Sequence, residues 1–188
     1  GIASVFSRNQ IVERSFLIWQ DQHFRPVQYW FDQSGRKNRQ ISVKFDWQTK
    51  SAEQNRNGTI SKYPLENDGH DRMSYQIALM QELRQDHRQF NYSVMERNGF
   101  KEYMFKVLLE EEIDTSLGKM ATLKLERLRK SNDNSKQRST VFWCAKKLAF
   151  LPVRIQHTEK NGSVFIMNIN KLDGILAERL STARNKKN

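Results

Sequence analysis

The chain has a single cysteine, Cys144, so an internal disulfide is impossible and cysteine usage says nothing about redox compartment. A catalytic thiol wants a histidine or a helix N-terminus close by. Cys144 follows Trp143 in an apolar stretch that offers neither, and it reads as a buried, inert thiol. No apolar run approaches the roughly 20 residues needed to span a bilayer, which argues against a transmembrane helix and predicts a soluble chain. There is no initiator methionine, and the opening Ile2-Ala3-Ser4-Val5-Phe6 has no basic segment before it. That opening does not read as a signal peptide, and a mature or trimmed form is expected. A glycine-rich phosphate loop, a serine at a nucleophile elbow and paired cysteines for zinc are all missing. The four histidines, His23, His70, His87 and His157, are scattered, with none at metal-ligand spacing from another. No metal, no cofactor and no catalytic residue is therefore expected.

Acidic residues are also few, 21 against 32 basic ones, for a net charge of +11. Such a balance attracts acidic partners without specificity: nucleic acid, anionic lipid headgroups or acidic glycans. Much of the excess is spread along strands, and the one compact block is the tail from Arg184 to Lys187. No nucleic-acid motif accompanies the charge, so nucleic acid is disfavoured as a partner and an anionic membrane surface is kept.

What is present is alternation. At 188 residues the chain has the length of one domain, which buries about 70% of its unfolded surface. Within Arg39–Trp47, residues Ile41, Val43, Phe45 and Trp47 are set to face in, and Ser42, Lys44 and Asp46 out. Gln10–Trp19 and Phe24–Phe31 read as strands around an Asp21-Gln22 turn, as does Ile2–Ser7 before them. Pro26 lacks a donor and argues for an edge position or a bulge. Ser34–Lys37 is a hairpin loop, and Ser51–Asn55 continues the meander towards the Asn57-Gly58 turn. Phe90–Met95 and Lys101–Leu109 flank an Asn98-Gly99 turn. Thr122–Leu128 alternates, with Leu123 and Leu125 on one face and Thr122, Lys124 and Glu126 on the other. Ser131–Lys136 is a polar turn and Arg138–Lys146 the return strand. Leu151–His157 places Leu151, Val153 and Ile155 on one face. Lys160-Asn161-Gly162 is the strongest hairpin signal, because Asn-Gly accepts the positive φ of a tight turn. Ser163–Ile169 is apolar on both faces and is expected deep in the sheet.

One helix interrupts this pattern, near 72–87. Met73, Ile77, Met80 and Leu83 form its stripe, with Ala78 and Leu79 alongside, and Asp71 is the N-cap candidate. The expected fold is mainly β: a curved antiparallel sheet or partly open barrel, built as a meander, with one packed α-helix. It forms a single β-rich domain over 1–173. Residues 174–188 are a basic tail, helical over Leu172–Leu180 or disordered.

Two clusters invite chemistry. Asp68-Gly69-His70-Asp71 could ligate a metal or share a proton, but it lies in a loop where Asp71 has a capping role. Of the acidic run Glu110-Glu111-Glu112, only Glu110 and Glu112 share a face. Carboxylates without an identified partner are usually solvated or paired with the abundant lysines and arginines. A hydrolase using Asp68, His70, Glu110 and Glu112 is the reading these residues would need. The aromatics are more informative: Trp30, Phe45, Trp47, Phe105 and Trp143. Aromatics at alternating strand positions are more often core, yet a curved sheet closed by one helix either packs solid or leaves a cavity for an apolar ligand. These five are the candidate ligand-binding residues.

Several segments together resemble a family. FRPVQYWFDQSGR from Phe24, VKFDWQ from Val43, the Asp71-Arg72-Met73-Ser74 helix start, EEEIDTSLGKMATLKLERLR from Glu110 and FWCAKKLAFLPVRIQHTEKNGS from Phe142 occur in order. They are similar to the bacterial exported proteins catalogued as domain of unknown function 3108, over about Gln10 to Leu172. Thr115–Gly118 and Leu151–Ile155 carry the most specific part. The resemblance implies a Gram-negative envelope protein, made with a signal peptide and resident in the periplasm, with an antiparallel β fold and no established activity. Members usually carry further strands upstream of where this chain begins, so an open sheet edge near the N-terminus is expected. The function expected is a non-catalytic binding module for a lipid-like, amphiphilic ligand. The alternative is an envelope interaction or scaffold protein with a solid core, pairing with a protein partner or a second copy through an open edge.

Overall fold

The computed structural model describes residues 10–35, 38–66, 68–128 and 138–174. The chain is mainly β, with two sheets, one of them curled into a half-barrel, and among the described residues a single α-helix. The strands are β1 (Gln10–Gln20), β2 (His23–Ser34), β3 (Arg39–Asp46), β4 (Ser51–Arg56), β5 (Thr59–Pro64), β6 (Gly69–His70), β7 (Gln89–Glu96), β8 (Gly99–Thr115), β9 (Gly118–Leu128), β10 (Ser139–Ala145), β11 (Leu151–Thr158) and β12 (Val164–Asn168). Helix α1 is Ser74–Arg84. One sheet runs β1-β2-β3-β4-β5 and the other β12-β11-β10-β9-β8-β7-β6, so both follow chain order. No helix among the described residues is long and apolar enough to cross a membrane. Two compact units divide the chain: residues up to Ala78 with Tyr92–Glu102, and Leu79–Asn91 with the residues from Tyr103 on.

In the first unit the meander follows the alternation closely. Ile41, Val43 and Phe45 of β3 are buried and Lys44 and Asp46 exposed, as a strand with one covered face requires. They pack with Tyr29, Phe31, Ala52, Leu65 and Met95, and Trp47, Tyr63 and Phe100 close over this cluster. Pro26 sits at a bulge: Phe16 faces Gln28 and Leu17 faces Pro26, which leaves Val27 without an opposite number. The β2–β3 ladder starts only at Gln28, so the missing proline donor costs no bond there. The β4–β5 turn is Asn57-Gly58, both at positive φ. Strand β5, in the polar stretch after that turn, was not foreseen. At Gly99 (φ 100°) a side chain would meet the Tyr63 ring at 3.0 Å, so only glycine lets that ring come so close.

Asp71 starts the helix as expected. Its Oδ1 accepts from the backbone N–H of Met73 at 2.7 Å and of Ser74 at 2.8 Å, and Ser74 Oγ accepts from the Asp71 N–H at 2.8 Å. This is a reciprocal cap with serine in the place usually taken by glutamate. The helix is shorter than expected and turned about its axis. Tyr75, Leu79 and Leu83, four residues apart, are its buried stripe, while Met73 lies in the capping turn, largely exposed. Of the predicted stripe of Met73, Ile77, Met80 and Leu83, with Ala78 and Leu79 alongside, Leu83 and Leu79 are buried as expected, and what the prediction left out is Tyr75, whose ring is the largest apolar body on that helix.

In the second unit β8 and β9 meet at a two-residue loop, Ser116-Leu117, closed by Thr115 Oγ1 donating to the Gly118 carbonyl at 2.7 Å. Ile113, Met120, Trp143, Ala145, Leu148 and Val153 form the core cluster there. Three expectations need correcting. Thr122, placed outward, is fully buried and donates to the Glu111 carbonyl at 2.8 Å, because β9 is an inner strand between β8 and β10. Lys160-Asn161-Gly162 does turn β11 into β12 as a hairpin, but within a five-residue connection and with Gly162 alone, not Asn161, at positive φ. Strand β12 is at the edge of its sheet, with Val164, Phe165, Ile166 and Met167 all more than half exposed. As the last strand of a meander it has only β11 to pair with, whatever its hydrophobicity. The expected strand Ile2–Ser7, the turn Ser131–Lys136 and most of Leu172–Leu180 and the basic tail lie outside the described residues.

The cap makes a prediction. Asp71→Ala orphans two helix N–H groups and the Ser15 hydroxyl, and should cost about 2 kcal/mol in urea unfolding. Asp71→Asn keeps the accepting oxygen and should cost less than half of that.

Candidate functional site

The five candidate aromatics fall into two groups. Phe45 lies in the closed core of the first unit. Trp47 packs at its margin, donates from Nε1 to the Pro26 carbonyl at 2.8 Å and carries the Arg25 guanidinium 5.0 Å above its ring. In the second unit Phe105 is buried among Phe90, Tyr103 and Phe142. Trp143 is held by polar partners on every side that carries one. Its Nε1 donates to Glu111 Oε1 at 2.6 Å, Lys124 Nζ lies 5.1 Å above the ring, and Arg154 lies 5.8 Å from it. That hydrogen bond, more than the Lys124 charge at 3.2 Å, holds Glu111 below the usual carboxylate range. Glu111, passed over in the acidic run, is thus the member of that run with the built environment. Phe45, Phe105 and Trp143 are wall material.

Trp30 differs because alternation sends it to the other face of β2 from Tyr29 and Phe31. There it meets Phe16 of β1 edge to face, with ring centroids 5.2 Å apart. The pair lines an open cavity of about 580 Å³, and Phe16 is 57% exposed within it. Around the rings the same sheet face supplies Arg14, Asp32, Gln40, Ser42 and Asn55, with Asn57 from the adjacent turn. The register explains the convergence: Arg14 pairs with Trp30, Trp30 with Ser42, and Ser42 with Asn55, one residue from each of four strands. Phe16 was missed in the sequence because Leu17 and Trp19, apolar residues on the opposite face, blur the alternation of β1.

The other candidates have their own surroundings. Asp68 is exposed in the turn before β6. His70 is buried, with Nδ1 3.3 Å from Ser74 Oγ and its ring against Tyr92, edge to face at 5.3 Å. Burial, and secondarily the charge of His23, lowers its pKa to about 4, so it stays neutral at pH 7. Burial likewise pushes the Asp71 carboxyl above its ordinary value, against the hydrogen bonds from Ser15, Ser74 and Met73. Glu110 pairs with Lys146 at 2.5 Å, and Glu112 is exposed. Cys144 is fully buried, which pushes its thiol pKa up. Among the described residues no three His, Cys, Asp or Glu side chains gather to hold a metal ion.

The family described as "Protein of unknown function (DUF3108)" matches residues 2–169. The chain belongs to that family. No curated protein and no solved structure matches it. Membership in DUF3108 agrees with the order of sequence segments noted above and brings no catalytic residue with it.

The buried imidazole makes the stability of this DUF3108 protein depend on pH. Unfolded, His70 titrates near 6.5; folded, near 4. A depressed folded pKa gives stability that is present above pH 6.5 and lost as pH falls towards 4, a loss of about 3 kcal/mol. Asp71 acts in the opposite sense, but in wild type and variant alike. Urea unfolding of His70→Asn should therefore be less sensitive than wild type between pH 7 and 4.5; parallel curves would contradict the assignment.

Proposed function

We propose that this protein is a non-catalytic binding module for an amphiphilic, lipid-like ligand held at Trp30 and Phe16. The observation that carries this is a pair of aromatic rings on the open face of the five-stranded sheet, where no core needs them. Side chains on that face that do not pack are normally polar. Phe16 and Trp30 instead form an apolar floor, ringed by one cation, one anion and several amide or hydroxyl groups. Such a surface takes a ligand with an apolar body and a polar end. The family resemblance supports a setting in the cell envelope, in the periplasm of a Gram-negative bacterium.

An environment-sensitive amphiphilic dye tests the proposal. Wild type should take it up with a fluorescence rise, Trp30→Ala should weaken uptake about tenfold, as the loss of one aromatic contact implies, and Phe45→Leu should leave it unchanged. A wild-type protein that takes up no dye, and shows only its bare mass by native mass spectrometry, would overturn the reading.

One observation favours a second reading, an interaction protein with a solid core. Strand β12 ends its sheet with four consecutive exposed apolar residues, and such an edge invites pairing with another chain. On that reading wild type associates with rising concentration in sedimentation velocity, and Ile166→Lys abolishes the association.

A further inference from the structure

At one end of the inward face of the five-stranded sheet, beyond the hydrophobic cluster, arginines from several segments gather. Arg39 opens β3 and Arg56 closes β4. Ile41 pairs with Arg56, so Arg39 and Arg56 are diagonal neighbours on one face. The Arg39 guanidinium lies 5.2 Å from the centre of the Phe31 ring, and that of Arg72 lies 5.8 Å from the same ring. Arg97 reaches this group from the β7–β8 turn, which is fastened to β4 by Gln54 Nε2 donating to the Glu96 carbonyl at 2.9 Å. Gln54 is two residues before Arg56, on the same face.

One acid close to this group is already engaged. Glu13 accepts the Tyr29 hydroxyl at 2.6 Å and lies 3.7 Å from Arg72. Among the described residues no ion pair reaches Arg39, Arg56 or Arg97. The Arg39 Nε–H is buried and, among the described residues, has no hydrogen-bond partner. A buried donor without an acceptor is costly, and natural structures rarely leave one. Burial, followed by the charges of Arg56, Arg72 and Arg97, lowers the pKa of the Arg39 guanidinium, so the cluster is repulsive as it stands. The Phe31 ring holds the Arg39 guanidinium by a cation-π contact, and a guanidinium's planar fork suits an oxyanion.

We infer that Arg39, Arg56 and Arg97 form a binding site for a phosphate group, either a free phosphate compound or the headgroup of a phospholipid. The orphaned Nε–H and its two cationic neighbours supply the donors. This site uses the inward face of the sheet, whereas Trp30 and Phe16 use the outward face, so the two proposals stand or fall separately.

Thermal unfolding and calorimetry of the full chain test it, with sodium pyrophosphate against sodium chloride at equal ionic strength. Pyrophosphate should raise the unfolding midpoint in a saturable way, and Arg56→Gln and Arg97→Gln should each weaken binding about tenfold, as loss of one charge-assisted bond implies. Arg97 is exposed in a turn, so its variant keeps the fold even if changes at Arg39 do not. Flotation with phosphatidylcholine vesicles, with and without phosphatidic acid, separates the sources. Capture only by the phosphatidic acid vesicles assigns a headgroup, and pyrophosphate binding without capture assigns a soluble phosphate. Pyrophosphate no better than chloride together with no vesicle preference, or Arg97→Gln and Arg56→Gln binding as well as wild type, overturns the inference.

Discussion

A strand sends successive side chains to opposite faces, and this constraint governs most of what the first unit can do. Along β2, Tyr29 and Phe31 point into the packed cluster while Trp30 points out. Along β3, Ile41, Val43 and Phe45 join the cluster while Gln40 and Ser42 join the outer cavity. A register slip of one residue would exchange the two sets and destroy both faces at once. The bulge at Pro26 absorbs the one irregularity near the end of the ladder and leaves the register from Gln28 onward intact.

The loop from β6 into α1 is the other point of high constraint. Asp71 is almost completely buried, yet every bond it makes is local or to Ser15 of β1. Its carboxylate sets where the helix begins, and so which helical face is covered. His70 beside it is neutral and packed against Tyr92. Burial raises the pKa of the acid and lowers that of the base, since each shift disfavours the charged form. The cap at Asp71 and the packing of His70 make this loop a structural junction between β6 and α1.

Legibility in the sequence followed the physics of each feature. The meander, the Asn57-Gly58 turn, the Asp71 cap and the inert Cys144 were readable because each rests on local periodicity, local backbone preference or local chemistry. The position of β12 was not, because an apolar strand looks alike at the centre and at the edge of a sheet, and only pairing order decides. Thr122 was misplaced for the same reason, since an inner strand can be covered on both faces. Of the five aromatics singled out, Phe45, Phe105 and Trp143 serve packing, and Trp30 lines a cavity. Neither composition nor cross-strand register alone could separate them: Trp30 sits between Arg14 and Ser42, but the buried Trp143 likewise sits between Lys124 and Arg154, and only the covering of each sheet face decides. The arginine group was invisible as a motif because Arg39, Arg56, Arg72 and Arg97 are brought together only by the folded strands and turns.

The central claim is that the inward rings are filled and the outward ring pair is free to bind. The four tryptophans, Trp19, Trp30, Trp47 and Trp143, allow a direct check by 19F NMR of protein labelled with fluorotryptophan. On titration with a short-chain amphiphile, the Trp30 resonance should shift in a saturable manner while those of Trp47 and Trp143 stay in place. Shifts at Trp47 and Trp143 with Trp30 unmoved would contradict the account.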